Sequence, residues 1–282
     1  MKSYSILLFI ACLFLVHPSY SQIKGKCIDE NGRGIPYVNI SIKGKPIGTV
    51  SNMEGNFSIE NSSLEEHDFL IFSHLNFDKK TIGIPLKSEQ IKLNAKVENL
   101  KEVIVSNKKK KVKEKIVGTK TETEGILMYF TSNSLGTEIG KIITVKKNKI
   151  YDLKNVQFNL PKLGYKSATF RINFYTIVDG TIDVLKTNTV DNIIKVTKSG
   201  MVKLDLSNQD LSFENDFLVA VEWIDFENKE NVTNQDNAIK FSSAVFSGPY
   251  ISRDNINLKW NSEKVTLNVG PGIHLKVKEY SK

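Results

Sequence analysis

The chain has 282 residues, 40% of them apolar and 25% charged, with a formal net charge of +8. That is room for two ordinary domains. Two cysteines, Cys12 and Cys27, exclude a disulfide-stapled scaffold, so stability has to come from apolar cores.

Met1 to Ser21 reads as a secretory signal peptide: Lys2, an apolar run from Ile6 to Val16, then Ser19-Tyr20-Ser21 before Gln22. The run is about half the length a bilayer crossing needs, and no later run approaches that length. The expected product is exported to the periplasm, outer membrane or cell surface, with no transmembrane segment after cleavage. Cys27 then remains as a small buried residue in a strand.

From Ile23 to Phe57 the pattern is short strands broken by glycine-bearing turns. Strands are expected at 23–28, 35–42 and 49–50, with Pro36 at the start of the second. Gly55 is expected as the positive-φ residue of a tight hairpin that turns Phe57 and Ile59 into a core. Further strands are expected at 68–73, 79–84, 90–93 and 102–105. This spacing describes a small antiparallel sandwich over 22–106.

Asn107 to Lys115 holds six lysines against one glutamate. Without aromatic residues to stack on bases, nucleic acid is excluded as the partner, and 107–124 reads as a solvated linker. Alternation then resumes with longer strands over 125–282. These are expected at 126–130, 138–145, 156–160, 168–177, 193–196, 201–206, 217–224, 239–246, 256–260, 264–269 and 273–279. Phe217 to Ile224 is apolar at almost every position, as in a central strand covered on both faces. Gly270-Pro271-Gly272 reads as a hairpin turn. The second domain is expected to be a larger β-sandwich, a jelly roll being one arrangement of that size.

The first domain carries a resemblance. Gly25 with Cys27 and Ile28, Gly32, Ile35-Pro36-Tyr37-Val38-Asn39-Ile40, Gly48-Thr49, Asn52, Gly55 with Phe57, and Leu100 to Val105 are together similar to the carboxypeptidase-regulatory-like domain. The resemblance implies a seven-stranded, transthyretin-like sandwich of the Gram-negative envelope, found also at the front of TonB-dependent outer-membrane receptors. No receptor plug or barrel follows in this chain. Many members carry aspartate where this chain has Asn52, so no carboxylate-based cation site is expected in that turn.

Chemistry is sparse. His67, His74 and His274 have no glutamate at metal-ligand spacing, so neither a metal nor another cofactor is expected. No G-x-S-x-G elbow occurs, and Cys27 has no neighbouring histidine to activate it. Glu222, Asp225 and Glu227 are the first carboxylates to test for glycoside hydrolysis, a reaction defined by geometry rather than spacing. Trp260 and Tyr250 could form a stacking platform for a glycan. The polar loop 228–237, with Asn231 and Asn234, is the other candidate contact. The expected function is a non-catalytic envelope protein that binds or organises another surface component, a protein or polysaccharide. A glycan-binding module or hydrolase on the second domain is the alternative.

Overall fold

The computed structural model describes residues 22–60, 64–65, 67–84, 86, 88–96, 112–131, 134–183, 190–230, 237–263 and 267–281. All elements among the described residues are strands. The segments expected as signal peptide (1–21) and as a strand at 102–105 lie outside the described residues, as do Asn231 and Asn234.

Among the described residues, seven strands build the first sandwich: β1 (Gln22–Ile28), β2 (Asn39–Ile42), β3 (Gly48–Val50), β4 (Asn56–Glu60), β5 (Phe69–His74), β6 (Phe77–Gly83) and β7 (Gln90–Lys92). They form sheets in the orders β4-β1-β7 and β3-β2-β5-β6. Period-two alternation does the sorting: in β4 Phe57 and Ile59 are buried while Asn56, Ser58 and Glu60 face water. Between the sheets lie Cys27, Val38, Ile40, Ile42, Leu70, Phe72 and Ile91.

Two expectations change here. The strand expected from Ile35 begins only at Asn39, because Tyr37 is left-handed, with φ of 58°, and interrupts the extended backbone. The buried Ser51 staples this turn: its hydroxyl donates to Ile35 O and accepts from Val38 N, both at 2.9 Å. Gly55 has positive φ (84°) as expected, yet β3 and β4 belong to different sheets, so the turn is a corner and not a hairpin. Asn52 Oδ1 holds it by accepting from Glu54 N and Asn56 N.

The second sandwich begins at β8 (Val112–Gly118), β9 (Leu127–Thr131), β10 (Glu138–Ile143), β11 (Lys149–Leu160), β12 (Lys162–Leu163) and β13 (Ser167–Val178). It continues through β14 (Thr181–Ile182), β15 (Asn192–Val196), β16 (Gly200–Asp205), β17 (Ser212–Phe213) and β18 (Phe217–Glu227). It closes with β19 (Ala238–Ala244), β20 (Tyr250–Arg253), β21 (Asn261–Glu263), β22 (Gly270–Pro271) and β23 (Ile273–Ser281). One sheet runs β14-β13-β18-β10-β20-β21 with β15 beside β13. Opposite it lie β16-β11-β23-β8 and β12-β19-β22, with β17 on β11 and β9 on β19. Phe130, Phe158, Phe170, Phe174, Trp223, Phe241 and Leu275 fill the space between.

Part of the expected linker is a strand: β8 pairs antiparallel with β23 from Val112↔Tyr280 to Gly118↔His274. Gly270-Pro271 is a short strand against Ser243 and Ala244 and not a hairpin turn. The strand expected at 256–260 is displaced to β20, and 254–260 is a loop that packs over the sheet. β18 is central, as expected, and every residue from Phe217 to Ile224 is buried. Burial on both sides of β18 requires something to cover its outer face.

Candidate functional site

Alternation sends Phe170, Ile172 and Phe174 of β13 into the core and leaves Arg171, Asn173 and Tyr175 on the opposite face. β18 does the same with Val219, Val221 and Trp223 against Leu218, Ala220 and Glu222. Register then sets Arg171 opposite Glu222, Glu222 opposite Glu138, and Glu138 opposite Arg253. The result is an Arg-Glu-Glu-Arg row across four strands, every member of it 2% exposed or less.

Every member is bonded. Arg171 Nη1 lies 3.3 Å from Glu222 Oε2, and Arg253 Nε donates to Glu138 Oε2. Asn173 Nδ2 donates to Glu138 Oε1 at 2.6 Å and to Glu222 Oε2 at 2.7 Å, bridging the two carboxylates. Tyr175 donates its hydroxyl proton to Glu138 Oε1 at 2.7 Å and accepts from Arg253 Nη2. Burial opposes the charge on Arg171, but Glu222 and Asp191 outweigh it and hold the guanidinium above its ordinary pKa. Burial, then Glu138, pushes the Tyr175 phenol well above its usual range, which keeps it a proton donor.

The first sandwich and two loops cover the row. Arg171 Nη2 donates to Tyr37 O at 2.7 Å, and Arg171 Nε pairs with Asp191 Oδ1 at 3.2 Å. Asp191 Oδ2 lies 3.5 Å from His74 Nε2 of β5. Asn257 Nδ2 donates to Ser41 Oγ at 2.7 Å, and Asn255 Nδ2 to Lys45 O at 3.2 Å. The Tyr37 side chain lies near Thr169, Asp225 and Lys195, and burial raises the pKa of its phenol. Gly136 has φ of 84°, and a Cβ there would stand 3.5 Å from Asn39 Oδ1 and Val50 Cγ2, so this turn rests on the first sandwich.

The residues singled out by sequence scatter. Glu222 belongs to the buried row. A bulge at Ile224 of β18 sets Thr169 opposite Asp225 and Phe170 opposite Trp223, bringing Asp225 beside Tyr37. Burial raises the pKa of Asp225. Glu227 pairs with Lys195 and Lys166, which pull its pKa down to about 2. The three form no joint site.

Trp260 lies over Arg253, with the guanidinium carbon 4.2 Å from the ring centroid, and meets the Tyr175 ring edge-on at 5.1 Å. Tyr250 packs on the main core instead, so the two aromatics form no shared platform. Burial pushes the Cys27 thiol up to about 12. His67 is exposed, His74 is at the domain contact and His274 is buried on β23. No group of three or more His, Cys, Asp or Glu suited to a metal occurs among the described residues. No helix among them is long and apolar enough to cross a membrane.

Sequence reasoning missed Arg171, Asn173, Glu138 and Arg253. Their only signal was polar residues alternating with apolar ones, the same pattern as a wetted sheet face.

The solved structures that resemble the chain do so distantly. The clostridial cysteine protease Cwp84 after propeptide cleavage has a TM-score of 0.41 and 10% identity, covering 60% of this chain and 40% of that one. The major pilin subunit BcpA of Bacillus cereus has a TM-score of 0.21 and 10% identity, covering 93% of this chain and 69% of that one. Among curated proteins, TonB-dependent receptor P39 of Formosa agariphila is 31% identical over 88 residues. That stretch is 30% of this chain, and the chain spans 8% of the receptor's length. Residues 23–105 match the family model of the CarboxypepD_reg-like domain, and the first sandwich carries that domain.

Proposed function

We propose that this chain is an exported, non-catalytic protein of the cell envelope whose paired sandwiches bind another surface component. The observation that carries the reading is the state of its convergent ionisable groups. Glu138 and Glu222 come together as a hydrolase's acids would, but Arg171, Arg253, Asn173 and Tyr175 occupy them in a site closed to substrate. Such a cluster serves cohesion. The alternative of a glycan module loses support from Trp260, whose ring is occupied by Arg253 and Tyr175.

Recognition is assigned to the loop end where Phe246 N donates to Leu267 O at 2.8 Å. Phe246 is 77% exposed and Leu267 55%, and both are left-handed, with φ of 55° and 68°. Exposed apolar side chains on a strained loop fit an interaction site.

Purified residues 22–282 should cosediment with isolated envelope fragments, and a Phe246→Ser, Leu267→Ser variant should lose most of that binding while keeping its circular dichroism. Equal binding by the variant sinks the assignment of the loop. Release of reducing ends from envelope polysaccharide above the blank sinks the non-catalytic reading.

A further inference from the structure

Contacts between the two sandwiches surround one turn, Ile35 to Asn39, whose Tyr37 meets the second sandwich through both its carbonyl and its side chain. Its carbonyl takes the 2.7 Å bond from Arg171, and its side chain lies near Thr169 and Asp225. Around it stand Asn257 with Ser41, Asn255 with the Lys45 carbonyl, and Asp191 with His74. We propose that this Arg171 face of the second sandwich is a docking site for a CarboxypepD_reg-like domain. The site holds that domain without covalent connection and accepts it from a second chain as well as from its own.

Three features carry the proposal. First, the receiving face is built before the domain arrives. Glu222 and Asp191, both in the second sandwich, fix the Arg171 guanidinium, so docking desolvates a charge that is already paired and spends little on ordering it. Second, two of the contacts address backbone carbonyls, of Tyr37 and Lys45, which any domain with the same turn would present. Third, the anchor is a tyrosine set among polar neighbours, the kind of residue that dominates binding energy at interfaces. Residues 97–111 separate the described parts of the two sandwiches. Docking holds whether or not the chain binds an envelope component.

The experiment uses the full chain with a site-specific protease sequence placed within 107–111, beyond the family match at 23–105. After cleavage, the two pieces should elute together on gel filtration at 10 μM, and an isotope-labelled first sandwich from a second cleaved sample should exchange into the complex. Tyr37→Ala should separate the pieces, weakening association at least a hundredfold. Because that change could also unfold the first sandwich, Ser41→Ala and Asn257→Ala provide a gentler pair. Each should weaken association two- to tenfold, and the double variant should be no weaker than the worse single one. Folded pieces that elute apart overturn the proposal. Co-elution that survives Tyr37→Ala, or additive effects of Ser41→Ala and Asn257→Ala, overturns the site.

Discussion

Arg171 is the residue on which most of the buried polar structure depends. It touches Glu222, Asp191 and the Tyr37 carbonyl, and through Glu222 and Asn173 it is linked to Glu138 and Arg253. Removing one partner of a buried ion pair strands the other, which costs about 3–5 kcal/mol. Arg253→Met should therefore lower the unfolding free energy by about that amount in urea denaturation, far more than a change to a surface pair such as Lys45→Met. Cys27 gives a second check: with its thiol pushed up to about 12 and no exposed surface, it should resist alkylation by iodoacetamide at pH 8 until the protein is denatured.

His274 makes a third prediction, in pH. Burial lowers its pKa, Lys120 lowers it further and Glu122 partly offsets them. The folded protein thus binds this proton less readily than the unfolded chain does. Its contribution to stability is complete above about pH 6.5 and is lost as pH falls from there toward the folded value. His274→Gln should flatten the stability profile between pH 7 and pH 5, where most carboxylates are still ionised.

Among the elements, β8 shows why composition misleads. Its lysines read as a solvated tether, yet they belong to an edge strand with Lys115 paired to Glu279 and Lys276 paired to Glu114. Lysine on an edge strand keeps it soluble and blocks further pairing, so a charged edge and a linker look alike in sequence. Amide exchange separates them: alternate residues of Val112–Gly118 should be protected for minutes or longer, whereas a tether would exchange at once. The turn at Tyr37 misled in the opposite direction. Ile35 to Ile42 alternates well enough to be one strand, but the Ser51 hydroxyl and a left-handed residue bend it away from the sheet. The loop 254–260 likewise read as a strand, because Ile256, Leu258 and Trp260 alternate while the chain folds back over β20.

For the whole molecule, the two apolar cores are separate, and the buried ionic row joins them. Unfolding the first sandwich would expose Arg171 and Asp191 to water, so the two should melt together. Calorimetry is expected to show one transition for the intact chain and two for Arg171→Met. The sequence by itself determined the all-β class, the period-two alternation of the first sandwich, the family of that sandwich and the central place of Phe217 to Ile224. These are local properties, carried by side-chain period and by turn residues. Only the tertiary structure decided that Arg171, Glu222, Glu138 and Arg253 form one buried row and that Tyr37 closes it. A polar residue on the outward side of a strand looks the same whether water or another domain covers it, and the difference lies in contacts across more than a hundred positions of chain, as between Tyr37 and Arg171.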